Sequence, residues 1–196
     1  MKKLLALFAL AVLLAGCGKA ADKPVTFTNV DITGADYARD FKLVDHTGKP
    51  RTLADFKGKV VLMFFGYTQC PDVCPTTMAE MSAVMKELGP LAAQVQVLFV
   101  TVDPERDTQQ LLAEYVPAFD KRFLGLYGTA EQTAAVGKEF KVFYAKVPGK
   151  TPGSYSMDHT AASYVFDKQG KIRLLVRSGQ GPGPIVHDLK LLLAQP

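Results

Sequence analysis

The sequence predicts an α/β fold in which a central sheet is flanked by helices and entered through an N-terminal hairpin. Three observations predict it. Lys59–Phe65 is a continuous apolar run of strand length that leads directly to Cys70. An apolar stripe at helical spacing begins just beyond Cys74, and a second strand and helix repeat that order before a closing hairpin and helix. At 196 residues, with 48% apolar and 21% charged side chains, the chain is sized for one domain and too hydrophobic to stay disordered. A formal charge of +4, spread evenly, gives no basis for nucleic-acid binding. The longest apolar run, Leu4–Ala15, has 12 residues, where a spanning helix needs about 20.

Each element has its own signal. Phe41–Lys49 alternates and turns at Thr47-Gly48, which predicts the opening hairpin. Lys59–Phe65 reads as a central strand buried on both faces. From Pro75 a helix is expected, with Thr76 and Thr77 as caps, an apolar stripe of Met78, Met81, Val84, Met85 and Leu88, and a stop at Gly89-Pro90. The methionines in that stripe read as core and not as metal ligands. Gln94–Val102 is the next strand, Thr108–Tyr115 a helix, Leu124–Tyr127 a short strand and Glu131–Phe140 a helix. Tyr67, Phe143 and Tyr144 read as core or docking surface. Tyr155–Thr160 is expected as a polar loop before a hairpin formed by Ala162–Phe166 and Ile172–Val176 around Asp167–Gly170. Pro184–Leu193 closes the chain as a helix. This order is that of a thioredoxin-like sandwich in its peroxiredoxin-like variant.

Met1-Lys2-Lys3 followed by the apolar run has the form of a signal peptide over residues 1–16. It ends at Leu14-Ala15-Gly16-Cys17, which resembles the bacterial lipobox, where the chain is cut before a cysteine that then receives lipid. Lipidation of Cys17 also leaves Cys70 and Cys74 as a pair in an oxidising compartment. Residues 17–33 read as a lipid-anchored tether and 34–196 as the domain. The protein is expected in the cell envelope, facing the periplasm and held at a membrane by its lipid. Loss of residues 1–16 removes Lys2 and Lys3 and leaves 21 basic against 19 acidic residues, too even for strong steering.

The chemistry concentrates in Gly66–Pro75, where Cys70-Pro71-Asp72-Val73-Cys74 spans the junction of strand and helix. A helix start favours thiolate over thiol. If the segment is helical, residues four apart lie on one face with Cα atoms about 6 Å apart, inside the disulfide window and close enough to share a metal ion. A structural disulfide is the bland alternative, but so short a loop constrains the unfolded chain little. Three intervening residues, not two, favour metal binding over general disulfide exchange and leave redox chemistry open. Of the three histidines, His46 and His187 read as solvated surface. His159 precedes the hairpin strand and is placed to face the cysteines. Two thiolates and an imidazole suit Cu(I), and Cu(II) with a further oxygen; a structural zinc site would show a fourth protein ligand. Asp158 reads evenly as an acceptor orienting His159 or as a turn cap. Asp103-Pro104-Glu105-Arg106-Asp107-Thr108 reads as strand end, turn and helix cap in preference to direct chemistry.

Cys70–Pro75 after an apolar strand, Val102–Thr108 after the next, and Asp158-His159-Thr160 before a Tyr-Val-Phe-Asp-Lys-Gln-Gly-Lys hairpin together resemble the Sco/SenC family, over residue 34 to the C-terminus. The resemblance implies a thioredoxin-like fold and copper held by Cys70, Cys74 and His159. It also implies a part in assembling the copper A centre of cytochrome c oxidase, so that the partner is the copper A subunit or another envelope copper protein. The competing functions are a thiol-disulfide oxidoreductase, in which Cys70 and Cys74 are the redox-active pair, and a peroxidase, whose Thr-x-x-Cys arrangement is absent.

Overall fold

The computed structural model describes residues 26–195; the expected signal segment, Cys17 and the first part of the tether lie outside the described residues. The run after Lys59 forms β4 (Val60–Gly66), all seven residues buried. It pairs in parallel with β5 (Val95–Thr101), also buried throughout, and antiparallel with β9 (Ala162–Phe166). Strands covered on both faces have no solvent side to keep polar, hence their continuous apolar sequence. β6 (Leu124–Tyr127) follows β5 in parallel, and the opening hairpin of β2 (Leu43–Asp45) and β3 (Pro50–Arg51) pairs beyond it. On the other side β10 (Ile172–Arg177) pairs with β9, and β1 (Val30–Asp31) with β10. The sheet order is β1-β10-β9-β4-β5-β6-β2-β3.

Four α helices are found among the described residues: α1 (Val73–Leu88), α2 (Gln109–Tyr115), α3 (Ala130–Glu139) and α4 (Pro182–Leu193). α1 buries Met78, Met81, Val84, Met85 and Leu88, as the stripe predicts, and packs against α4. Each such side chain contributes about 1.5–3 kcal/mol on burial. α1 ends at Gly89, whose φ of +56° is costly for any residue with a Cβ. Thr108 caps α2 by accepting from the Leu111 N–H at 3.2 Å.

Three local expectations are corrected. First, α1 begins at Val73, so Thr76 and Thr77 lie inside the helix and do not cap it. Pro75 stands in the first turn, where a missing N–H loses no helical bond. Second, the expected loop before His159 is a strand: β8 (Tyr155–His159) pairs antiparallel with β7 (Tyr144–Pro148) in a separate two-stranded sheet. Third, the chain is docked well before residue 33. Asp188 of α4 accepts from the N–H groups of Thr28 and Asn29 at 2.9 and 2.8 Å and from Asn29 Nδ2 at 2.9 Å, and Ile32 N–H donates to the Arg173 carbonyl at 2.9 Å. Burial alone would raise the Asp188 carboxyl, but these bonds outweigh it and hold it below the ordinary carboxylate range.

Candidate metal centre

The two cysteines occupy different local structures. Cys74 lies in the first turn of α1 and is fully buried; Cys70 is half-buried in the turn before the helix, its N–H donating to the Tyr67 carbonyl at 3.3 Å. Both carry free thiols. Cys74 packs against the end of β4 only because residue 66 is glycine. A Cβ there would stand 2.9 Å from Cys74 Sγ, 2.8 Å from Phe64 Cε1 and 3.0 Å from Phe99 Cε2. Burial pushes the Cys74 thiol far up, so the thiolate preference expected of a helix start is overridden at this residue.

The imidazole arrives from the opposite side. His159 is the last residue of β8, and its Nε2 lies 3.4 Å from Cys74 Sγ. Its Nδ1 meets the Thr160 carbonyl at 3.1 Å. A carbonyl can only accept, so Nδ1 carries the proton and the Nε2 lone pair faces the sulfur. Burial lowers the His159 pKa, which keeps the ring neutral at pH 7. The rings of Tyr67 and Phe64 wall it in, with centroids 5.9 and 6.1 Å away. Asp158 is exposed and the Nδ1 bond goes to Thr160, so the orienting hydrogen bond is the carbonyl's.

The ligand atoms of Cys70, Cys74 and His159 all lie within 4.8 Å of one another, the one such group of three among the described residues. Two sulfurs and a neutral nitrogen at that separation can meet on one soft metal ion. The same pair of sulfurs can exchange with a disulfide. His46 and His187 stand apart. His46 is half-buried and accepts from the Gly125 N–H at 3.0 Å, so its role is structural and not simply surface; His187 contacts Asp188 at 2.8 Å.

The segment after β5 does more than turn the chain. Asp107 is buried and accepts from the hydroxyls of Thr68 and Thr101, each at 2.6 Å, and from the Thr68 N–H at 3.1 Å, which pins the loop leading to Cys70. Asp103, also buried, accepts from Arg106 and from the Tyr155 hydroxyl. Gly66 and Tyr67 fall inside the Gly66–Pro75 segment singled out in the sequence, although Tyr67 reads there only as core or docking surface. Arg106 and Tyr155 are not expected at the site, and no local pattern signals them.

A family model described as SCO1/SenC matches residues 30–194. The mitochondrial SCO2 homologue of Bos taurus is 44% identical over 133 residues, 67% of this chain and 50% of its own length, so the chain spans about half the length of that curated relative. The structure of Bradyrhizobium japonicum ScoI with copper bound aligns at a TM-score of 0.73 and 42% identity, covering 79% of this chain and 98% of that one. The solution structure of apo Sco1 from Thermus thermophilus aligns at 0.77 and 40% identity, covering 86% and 98%. The mixed sheet flanked by helices matches these thioredoxin-like structures, as the element order predicts. With the fold, the three motifs and a model match across nearly all the described residues in agreement, the chain belongs to the SCO1/SenC family.

Proposed function

We propose that this chain is an exported, membrane-anchored copper metallochaperone that carries copper on Cys70, Cys74 and His159. It passes the ion to the copper A centre of cytochrome c oxidase or to another copper protein of the envelope. The observation that carries the reading is the closeness of the three soft donors, with a protonated Nδ1 that leaves Nε2 free to coordinate. The copper-bound relative supports the choice of metal. Copper is cargo here. A coordinating thiol is deprotonated by the ion it binds, so the high pKa of Cys74 makes uptake release a proton and strengthen as pH rises. Half-buried Cys70 leaves one side of the donor set open to an incoming ligand.

The anchor is the lipid on Cys17. No helix among the described residues is long and apolar enough to cross a membrane. Mass spectrometry of the membrane-extracted protein is expected to find an acylated N-terminal Cys17; an unmodified Cys17 would sink the anchor.

A second reading, a thiol-disulfide oxidoreductase, is favoured by the asymmetry of the pair. The Cys70 thiolate would attack a client disulfide, and Cys74 would then displace the client as dithiol, leaving Cys70–Cys74 oxidised. Copper titration of the reduced protein beside Cys70→Ala, Cys74→Ala and His159→Ala separates the two. The chaperone reading expects one copper per chain, weakened by each variant, with disulfide formation intact in His159→Ala. Cells that built the oxidase normally with His159→Ala but not with Cys70→Ala would replace it with the reductase reading.

A further inference from the structure

We propose that Arg106 is a positioning residue for the sulfur–imidazole site, a latch holding β8, and with it His159, against the loop that carries Cys70. The inference deepens the copper reading and rests on it. Arg106 Nη1 donates to the Tyr155 carbonyl at 2.8 Å and to Gln69 Oε1 at 3.2 Å, so one nitrogen joins the first residue of β8 to the residue before Cys70. The guanidinium carbon lies 3.7 Å from the centre of the Tyr155 ring and 5.6 Å from that of Tyr67, the ring that also meets the imidazole of His159. Arg106 Nε pairs with buried Asp103, which accepts in addition from the Tyr155 hydroxyl at 2.9 Å. The backbone, ring and hydroxyl of Tyr155 are thus all tied to one arginine–aspartate pair.

These ties matter because of where His159 is mounted. β7 and β8 stand outside the eight-stranded sheet, and a two-stranded hairpin is marginal alone in water. Its orientation must be supplied by the rest of the molecule. Along β8, Tyr155, Met157 and His159 fall on the covered face while Ser156 and Asp158 are exposed. Fixing Tyr155 on Arg106 therefore fixes the face, and so the aim, of His159 toward Cys74. A lysine would keep the charge opposite Asp103 but lacks the planar fork that reaches two further acceptors while stacked on a ring.

The test compares the reduced wild-type chain with Arg106→Gln, Arg106→Lys, His159→Ala and the double variant Arg106→Gln/His159→Ala, with Cu(I) affinity measured by competition against a chromophoric chelator. Both Arg106 variants are expected to bind about tenfold more weakly, the usual cost of removing a partner that orients a ligand. In the His159→Ala background Arg106→Gln is expected to add no further loss, because its effect passes through the imidazole. A second readout needs no metal: amide exchange in Arg106→Gln is expected to speed up across Tyr144–His159 and to stay at the wild-type rate in β4, β5 and β9. Wild-type affinity in Arg106→Gln, or losses that multiply in the double variant, would overturn the latch. If His159→Ala bound copper like the wild type, the ligand assignment would fall instead, and unchanged hairpin exchange in Arg106→Gln would then remove the latch as well. Should Arg106→Gln fail to fold, Gln69→Ala and Tyr155→Phe each remove one polar tie. They are expected to weaken binding in the same direction, and wild-type affinity in both would overturn the proposal.

Discussion

The hairpins β7–β8 and β9–β10 follow one another in the chain and are held in opposite ways. β9 runs beside β4 in the buried centre of the sheet, and the turn after it is pinned from within. The buried Asp167 carboxylate accepts from the N–H groups of Gln169 and Lys171 at 3.0 and 2.9 Å and from Arg173 at 3.3 Å. The opening hairpin uses the same device, with buried Asp45 accepting from the Thr47 N–H and hydroxyl, the Lys49 N–H and Arg51. The connection of β7 to β8 is exposed and closed by Gly149 N–H on the Ser154 carbonyl at 2.8 Å and the Ser154 hydroxyl on the Thr151 carbonyl at 2.7 Å. The sulfurs of the site are therefore set by the core, whereas the imidazole is set by side-chain ties outside the sheet. Two of the three donors inherit the stability of the whole fold, and the third can loosen without unfolding it.

The contrast can be broken or sharpened by measurement. The largest effect is expected for Phe166→Ala in β9, where the ring is fully buried and packs against Phe140: a loss of about 3–5 kcal/mol in urea unfolding. A loss below about 1 kcal/mol would show that β9 does not share the core's stability. Asp167→Ala leaves the turn's N–H groups without their acceptor and is expected to cost about 1–3 kcal/mol. A turn that needed no internal pin would show no change.

Acid tests the same device at Asp45. Burial alone would raise this carboxyl, but bonds from Thr47, Arg51 and Lys49 outweigh it and hold the pKa at about 2. A group lowered in the folded state contributes stability that is fully present above its unfolded value near 4 and is lost as pH falls through about 2. The contribution is about 2 kcal/mol or less. The wild-type urea midpoint should fall more steeply between pH 4 and 2 than that of Asp45→Asn; equal slopes would remove Asp45 from the acid response. The smallest effect is expected for exposed Val147 in β7, where Val147→Ser should stay within about 0.5 kcal/mol. A larger cost would mean that the hairpin is coupled to global unfolding after all.

The same contrast explains what the sequence made legible. β4, β5, α1 and β9–β10 announce themselves because a doubly covered strand or a methionine stripe is a long signal with few alternative readings. Tyr-Ser-Met-Asp-His alternates too, but over five residues, beside a Pro- and Gly-rich connection that reads as loop. The cysteines were legible from their spacing at a strand–helix junction, and His159 from its place before β9. The closeness of Gly66 to Cys74 Sγ and of Arg106 to Tyr155 was not, because both depend on contacts between elements that no local pattern encodes. Burial of Cys74, which reverses the effect expected of the helix start, is likewise a property of the assembled core.

The grip of Asp188 on Thr28 and Asn29 fixes where the chain leaves the domain. With a lipid on Cys17, ten residues, or eleven Cα–Cα steps, would separate anchor from grip. Fully extended, they reach about 40 Å, close to the thickness of a bilayer with its headgroups. If the proposed lipid anchor and copper-carrying role hold, a chaperone on so short a leash would meet clients by lateral diffusion, over a disc around its anchor and at a height those ten residues cap. It could therefore serve acceptor sites that stand near the membrane surface more readily than sites carried far above it.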